Sequence, residues 1–340
     1  MHYLYTLTSS IKDTYYEQFL MSAASLKLKM PGADIILLCD SKTKETLTGK
    51  RSEYEKLVSK TIAAEVPDIT SQVEVSRWLK TSMRRFVQGD FLFIDCDTII
   101  ADDLSSIENM GIDFGACLDK HCVISNHEKG EYIIGNDKKL GFSSYLSNKH
   151  FNSGVIFCTD TSDTKKIFNR WHELWLFSKS KNIVRDQPSL NMAIHENGSF
   201  ITELNGTWNC QITHNGLPYL SNSKIIHYFA SDRIFHTLPF VFTSNEIFAE
   251  IKNTGVIPDE VLEMLKTPKS AFLPESRIIT GKNMLHLINS DIFESAVILQ
   301  KRLPRFFNFI NRLCSIVKKI TKSIMVKKAK NKNGETKFYN

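Results

Sequence analysis

The sequence predicts an α/β protein whose mostly parallel sheet is flanked by helices, followed by a basic helical tail. Short apolar runs alternate with longer amphipathic stretches over the first two thirds of the chain, the pattern of successive βαβ units. Several of those runs are continuously apolar, as strands covered on both faces must be. The tail stands apart by charge. Twelve of the 43 Lys and Arg residues, but only one of the 37 acids, lie in residues 301–340, so this segment carries +11 and the preceding 300 residues carry −5.

Tyr3-Leu4-Tyr5-Thr6-Leu7-Thr8 reads as a first strand. Thr14 and Glu17 form a T-x-x-E capping box, and Tyr15, Tyr16, Phe19, Leu20, Ala23 and Leu26 recur at helical spacing until the Pro31-Gly32 turn. Ile35-Ile36-Leu37-Leu38-Cys39 is a second strand ending in Asp40, and Phe91-Leu92-Phe93-Ile94 is a third buried run ending in Asp95. In open parallel sheets ligands bind beyond the carboxyl ends of strands, which marks Asp40 and Asp95 by position alone. Further strands are expected over residues 114–118, 155–158 and 225–229, with a helix around 164–177. Residues 119–149 are polar and poorly periodic and read as a long loop or lid. Residues 1–257 are expected to form the catalytic domain and 258–340 a helical extension.

Composition narrows the function classes. With 42% hydrophobic and 24% charged residues over 340 positions, the chain is of the ordinary globular kind. Its seven cysteines are dispersed and form no CxxC pair, which points to a reduced, cytoplasmic protein without a zinc cluster. The start, MHYLYTLTSS, has no secretory pattern, and no apolar run is long enough for a spanning helix. An acidic body argues against nucleic-acid binding, which needs a positive stripe over the folded surface. In the tail, Phe306, Phe309, Ile310, Leu313, Val317, Ile320 and Ile324 recur at helical spacing among Arg305, Arg312, Lys318, Lys319 and Lys322. Such a basic amphipathic helix suits an anionic membrane surface, as a peripheral protein on the inner face of the cytoplasmic membrane. A helix packed on the catalytic domain with a solvated basic face is the alternative.

The chemistry centres on Asp95-Cys96-Asp97. Two carboxylates one residue apart, where a strand opens into a loop, can both reach one hard cation and hold it against a diphosphate. An isolated Asp-x-Asp is weak, and the apolar strand before it is what raises it. Four more motifs follow in order: Phe151-Asn152-Ser153-Gly154-Val155, Asp186-Gln187-Pro188-Ser189-Leu190-Asn191, Trp208-Asn209 and Ile226-His227-Tyr228-Phe229.

In this order the five motifs resemble those of the retaining enzymes of glycosyltransferase family 8, which have the GT-A fold, a Rossmann-like α/β architecture. The resemblance implies a UDP-sugar donor, with glucose or galactose most expected, and a glycan or lipid-linked acceptor of surface polysaccharide synthesis. It makes Asp95, Asp97 and His227 the metal ligands. A nitrogen ligand suits Mn2+ better than Mg2+, although Mg2+ is the second candidate. The resemblance also implies that Tyr5, Thr6 and Thr8 meet the nucleoside, Arg77 and Lys80 the donor, and Asn152 and Ser153 the sugar. Asp186 and Gln187 would lie beside the anomeric carbon.

The chain departs from the family twice. Ser9-Ser10 replaces an acid after the first strand, and residues 230–236 lack the family's G-x-x-K-P-W, leaving Arg233 or His236 to hold the diphosphate. An inverting transferase would need a carboxylate base beside the acceptor. A nucleotidylyltransferase should show a Gly-rich loop after the first strand, and none is present. A non-catalytic nucleotide-sugar binding or adaptor protein would not need Asp95, Asp97, Gln187 and His227 intact together.

Overall fold

A computed structural model of the chain describes residues 1–67, 71–197, 201–230, 241–272 and 290–334. The chain divides into two compact units, Met1–Ile278 and Ile279–Asn340.

The first unit is built on a seven-stranded sheet. Its strands are β1 (His2–Leu7), β2 (Asp34–Asp40), β3 (Lys60–Ala64), β4 (Phe91–Ile94), β6 (Phe114–Leu118), β7 (Phe151–Cys158) and β8 (Ile201–Glu203), in the order β3-β2-β1-β4-β7-β6-β8. β5 (Thr98–Ile100), β9 (Cys210–Gln211) and β10 (Ile225–His227) form a second, small sheet in the order β5-β10-β9. All pairings in the large sheet are parallel except those of β7, which runs antiparallel to β4 and β6.

The apolar runs are buried on both faces, and their two-residue period divides the core. Tyr3, Tyr5, Leu7, Ile35, Leu37, Leu92 and Ile94 pack with Phe19, Leu20 and Leu26 of α1 (Tyr15–Lys29). Leu4, Ile36, Leu38, Phe91 and Phe93 enter a second cluster with Leu79 of α3 (Gln72–Ser82), Trp171 and Trp175 of α5 (Ser162–Ser180) and Leu190 of α6 (Gln187–Glu196). In the first unit α2 (Ser41–Thr46), α4 (Gly130–Leu140), α7 (Asn245–Thr254) and α8 (Asp259–Lys266) complete the helices among the described residues.

Several expectations are corrected. Thr14 makes no side-chain cap, because Asp13 takes that place: its Oδ1 accepts the Tyr15 N–H at 3.1 Å. Glu17 is buried instead of reaching back to the helix start. Residues 119–149 are no plain loop, since they contain α4, whose few apolar positions, among them the buried Ile133 and Leu140, leave little periodic signal. The strand expected over 225–229 stops at His227, because the backbone turns to φ 52° at Phe229. The first unit extends past residue 257, because Val261 and Leu265 of α8 join the core beside α1.

The second unit contains α9 (Asp291–Arg302) and α10 (Pro304–Gly334), which pack on one another. Phe306, Phe309, Leu313, Ile316 and Val317 are exposed. No helix among the described residues is long and apolar enough to cross a membrane.

Burial pushes the imidazoles of His121, His150 and His172 down to about 4 from an ordinary 6.5. Between those values the unfolded chain binds more protons than the folded one, so stability is full above the upper value and is lost as pH falls through the window. Thermal melting is expected to show Tm falling steadily below about pH 6.5, and a flat Tm down to about pH 4.5 would contradict these burials.

Candidate active site

The open parallel half of the sheet places the site. Leaving β1, the chain crosses to β2 on one side, while β4 lies on the other, so the strand order reverses at the β1/β4 boundary. Ligand crevices open at such a point. A cleft of about 510 Å³ lies here, lined by Thr6 of β1 and Thr8 just after it, Asp95 and Asp97 after β4, and Asn152 and Ser153 of β7.

Register brings the third candidate ligand to the first two. β10 pairs antiparallel with β5 so that His227 stands opposite Thr98, the residue after Asp97. His227 Nε2 is 3.2 Å from Asp97 Oδ1, and one ligand atom each from Asp95, Asp97 and His227 fall within 4.8 Å of one another. The ring of Phe229 stacks on His227 at 4.0 Å, fixing its plane. Gly154 supplies clearance: a Cβ there would stand 2.5 Å from His227 Cε1 and 2.9 Å from Asp95 Oδ2. Two carboxylates and one imidazole nitrogen in this spacing suit a divalent first-row cation.

The charges around this triad are balanced by short contacts. Lys80 Nζ reaches Asp95 Oδ1 at 2.8 Å and Oδ2 at 3.0 Å and lies 4.0 Å from Asp186 Oδ2. Arg77 Nε holds Asp186 Oδ1 at 3.0 Å. Burial raises the Asp95 carboxyl against the pull of Lys80, and neighbouring Asp97 adds to the rise. Asp97 feels the same burial, but His227 and the Ala230 N–H, 3.0 Å from Oδ2, bring it down to about 2. For Asp186 burial is outweighed by Arg77 and Lys80, and its carboxyl is lowered. Asp186 precedes α6 but makes no capping bond, so its side chain belongs to the cleft and not to the helix end. Gln187 and Pro188 line the cleft beside it.

A buried chain of amides runs behind the triad. Asn152 Oδ1 accepts from Gly154 N at 2.8 Å and from Asn209 Nδ2 at 2.9 Å, and Asn152 Nδ2 donates to Asp119 Oδ1 at 2.8 Å. Both lone pairs of that oxygen are therefore occupied, and one of the two Nδ2 hydrogens is committed to Asp119. Asp119 Oδ2 is also bonded to His127 Nε2 at 3.0 Å, and these partners hold its carboxyl well below the usual range despite burial.

Sequence and structure part at two positions, Tyr5 and Asp40. Tyr5 does not line the cleft: it sits on the α1 face of the sheet, wholly buried, with its hydroxyl on Ser22 at 3.0 Å and its ring edge-on to Phe19. Asp40 is spent as the cap of α2, bonding Thr43 N at 3.1 Å and Thr43 Oγ1 at 2.5 Å. Arg233 and His236 lie outside the described residues. Thr6, Thr8, Arg77, Lys80, Asn152, Ser153, Asp186 and Gln187 all line the one cleft with the triad.

Tyr15, Asp119 and His127 are among the lining residues that the sequence reading missed. Tyr15, 44% exposed, was absorbed into the apolar stripe of α1. Asp119 stands at the end of β6 as Asp95 does at the end of β4, and the same positional rule applied there would have found it. His127 carried no signal of its own.

Residues 9–232 match Glycosyl transferase family 8. No curated protein sequence matches the chain. Among solved structures, the galactosyltransferase LgtC in complex with donor and acceptor sugar analogs is 15% identical, with 76% of this chain and 98% of that one covered at a TM-score of 0.47. The apo form of GlyE from Streptococcus pneumoniae is 15% identical, covering 79% of this chain and 64% of that one at a TM-score of 0.47. The bifunctional glycosyltransferase WbbM is 16% identical at a TM-score of 0.48; 67% of this chain is covered, and it spans 45% of WbbM. These likenesses are too distant to carry chemistry. The family match over residues 9–232, together with a mostly parallel sheet whose strand ends hold the Asp-x-Asp, shows that the chain belongs to glycosyl transferase family 8 and is a glycosyltransferase of the GT-A fold.

Proposed function

We propose that this glycosyltransferase moves a hexose, glucose or galactose, from UDP to a glycan or lipid-linked acceptor, with retention of configuration and dependence on Mn2+, in the assembly of a surface polysaccharide. The observation that carries the reading is the convergence of Asp95, Asp97 and His227 within 4.8 Å, in the cleft that also presents Asp186 and Gln187. Bound there, a divalent cation would supply Lewis-acid stabilisation of the departing diphosphate. Lys80 and Arg77 add positive charge on the donor side, and Tyr15 offers an exposed ring to the nucleoside. The amide of Gln187 is a poor nucleophile. The Asp186 carboxylate is held by Arg77 at 3.0 Å, which lowers its reactivity. Both facts favour front-face attack, in which the leaving phosphate accepts the acceptor's proton, over a covalent sugar on the protein.

A screen of nucleotide sugars with Mn2+, Mg2+ or chelator tests this reading. UDP release from UDP-glucose or UDP-galactose is expected, highest with Mn2+ and absent with chelator, and the product's anomeric centre should retain the donor's configuration. Equal release with chelator, or an inverted product, would refute it.

The exposed Phe306, Phe309 and Leu313 beside Arg305 and Arg312 support attachment of the tail to an anionic membrane surface. Each basic residue near such a surface contributes about 1 kcal/mol. The full chain is expected to float with anionic liposomes and a chain lacking residues 300–340 to stay behind; equal partitioning would contradict the attachment.

A further inference from the structure

We infer that Asn209 is a positioning residue that holds His227 through a hydrogen on Nδ1, so that Nε2 is the nitrogen turned to the site shared with Asp95 and Asp97. The inference rests on the metal-site reading and adds a residue that touches no ligand: Asn209 is fully buried and does not line the cleft.

One group at the start of this chain of amides has a fixed polarity. The Gly154 backbone N–H can only donate, and it lies 2.8 Å from the side-chain amide of Asn152, so the atom facing it must be the oxygen. The nitrogen of the same amide then faces Asp119 Oδ1 at 2.8 Å, the correct partner for a carboxylate held ionised. A flipped Asn152 would set N–H against N–H at one end and oxygen against carboxylate at the other. Asn209 meets this oxygen at 2.9 Å and must therefore offer it Nδ2.

That choice leaves Asn209 Oδ1 facing His227 Nδ1 at 3.0 Å. An amide oxygen cannot donate, so Nδ1 carries a hydrogen, and Nε2, 3.2 Å from Asp97 Oδ1, is the nitrogen a cation would take. The far end of the chain agrees. The Lys129 N–H donates to His127 Nδ1 at 2.9 Å, which puts the His127 hydrogen on Nε2, directed at Asp119. Two backbone N–H groups thus set the polarity of every bond between them. A histidine with its other nitrogen hydrogen-bonded in this way is oriented and made a better metal ligand.

Nitrogen-15 NMR of the metal-free protein, with His227 assigned by loss of its cross-peaks in His227→Ala, reads the tautomer directly. Wild type is expected to show a protonated-type Nδ1. Asn209→Leu should redistribute the proton toward Nε2 and weaken Mn2+ binding, followed by calorimetry, by about 10- to 100-fold. Asn209→Asp keeps an acceptor on Nδ1 and should retain the wild-type tautomer. A wild-type His227 unprotonated at Nδ1 overturns the inference, whatever the ion does and whether or not the Leu variant folds. A folded Asn209→Leu with unchanged tautomer and Mn2+ affinity overturns it as well. The expected tautomer in a wild type with no affinity for Mn2+ would support the tautomer assignment and sink the metal reading instead.

Discussion

Asp97→Asn is expected to lower Mn2+-supported UDP release by about 10³-fold, the scale on which loss of one preorganised charge stabiliser is felt. Asp97 is the ligand with the least freedom. Its Oδ2 accepts the Ala230 N–H at 3.0 Å, its Oδ1 lies 3.2 Å from His227 Nε2, and its carboxyl is brought down to about 2. An amide in the same place has no charge to offer a cation, and its NH2 group would oppose either Ala230 or the ion. Kinetics of donor hydrolysis over a range of Mn2+ concentrations check this. Activity within tenfold of wild type at saturating Mn2+ would show that Asp97 holds no ion.

Gly154→Ala is expected to lower Mn2+ affinity and turnover by about 10²-fold while leaving the fold intact. The added Cβ would stand 2.5 Å from His227 Cε1 and 2.9 Å from both Asn152 Oδ1 and Asp95 Oδ2. None of the three can swing away freely. His227 is stacked on Phe229 and bonded to Asn209, Asn152 is bonded at both ends of its amide, and Asp95 is held by Lys80. Displacements below 1 Å at such a site are costly. The Gly154 backbone has no positive φ, so alanine is not excluded by strand conformation. Calorimetric Mn2+ titration and far-ultraviolet circular dichroism together check this outcome, and wild-type affinity in the variant would contradict it.

Strand ends were legible in the sequence because continuous apolar runs announce them, and two of those runs lead directly into an acid, Asp40 and Asp95. Strand order was not legible, and order decides which acid matters. Asp95 follows β4 at the reversal beside β1, whereas Asp40 is the last residue of β2, one strand away, and caps α2 instead. Parity within a strand was equally hidden at Tyr5. It shares the α1 face with Tyr3 and Leu7, where an aromatic fills the core, while Thr6 and Thr8 reach the cleft. The helix of residues 130–140 was masked by a face of so few apolar positions that no period emerged. Asn209 could be noted as part of a motif, but its work depends on the polarity of Gly154 and Asn152, which only contacts across three elements define.

The central claim is that Asp95, Asp97 and His227 together grip one divalent cation against the diphosphate. Anomalous diffraction from crystals soaked in Mn2+ and UDP tests it most directly. A single manganese peak bonded to both carboxylates, His227 Nε2 and the two phosphates is the predicted result. Manganese bound elsewhere, or UDP bound with no ion among these three side chains, would contradict the account.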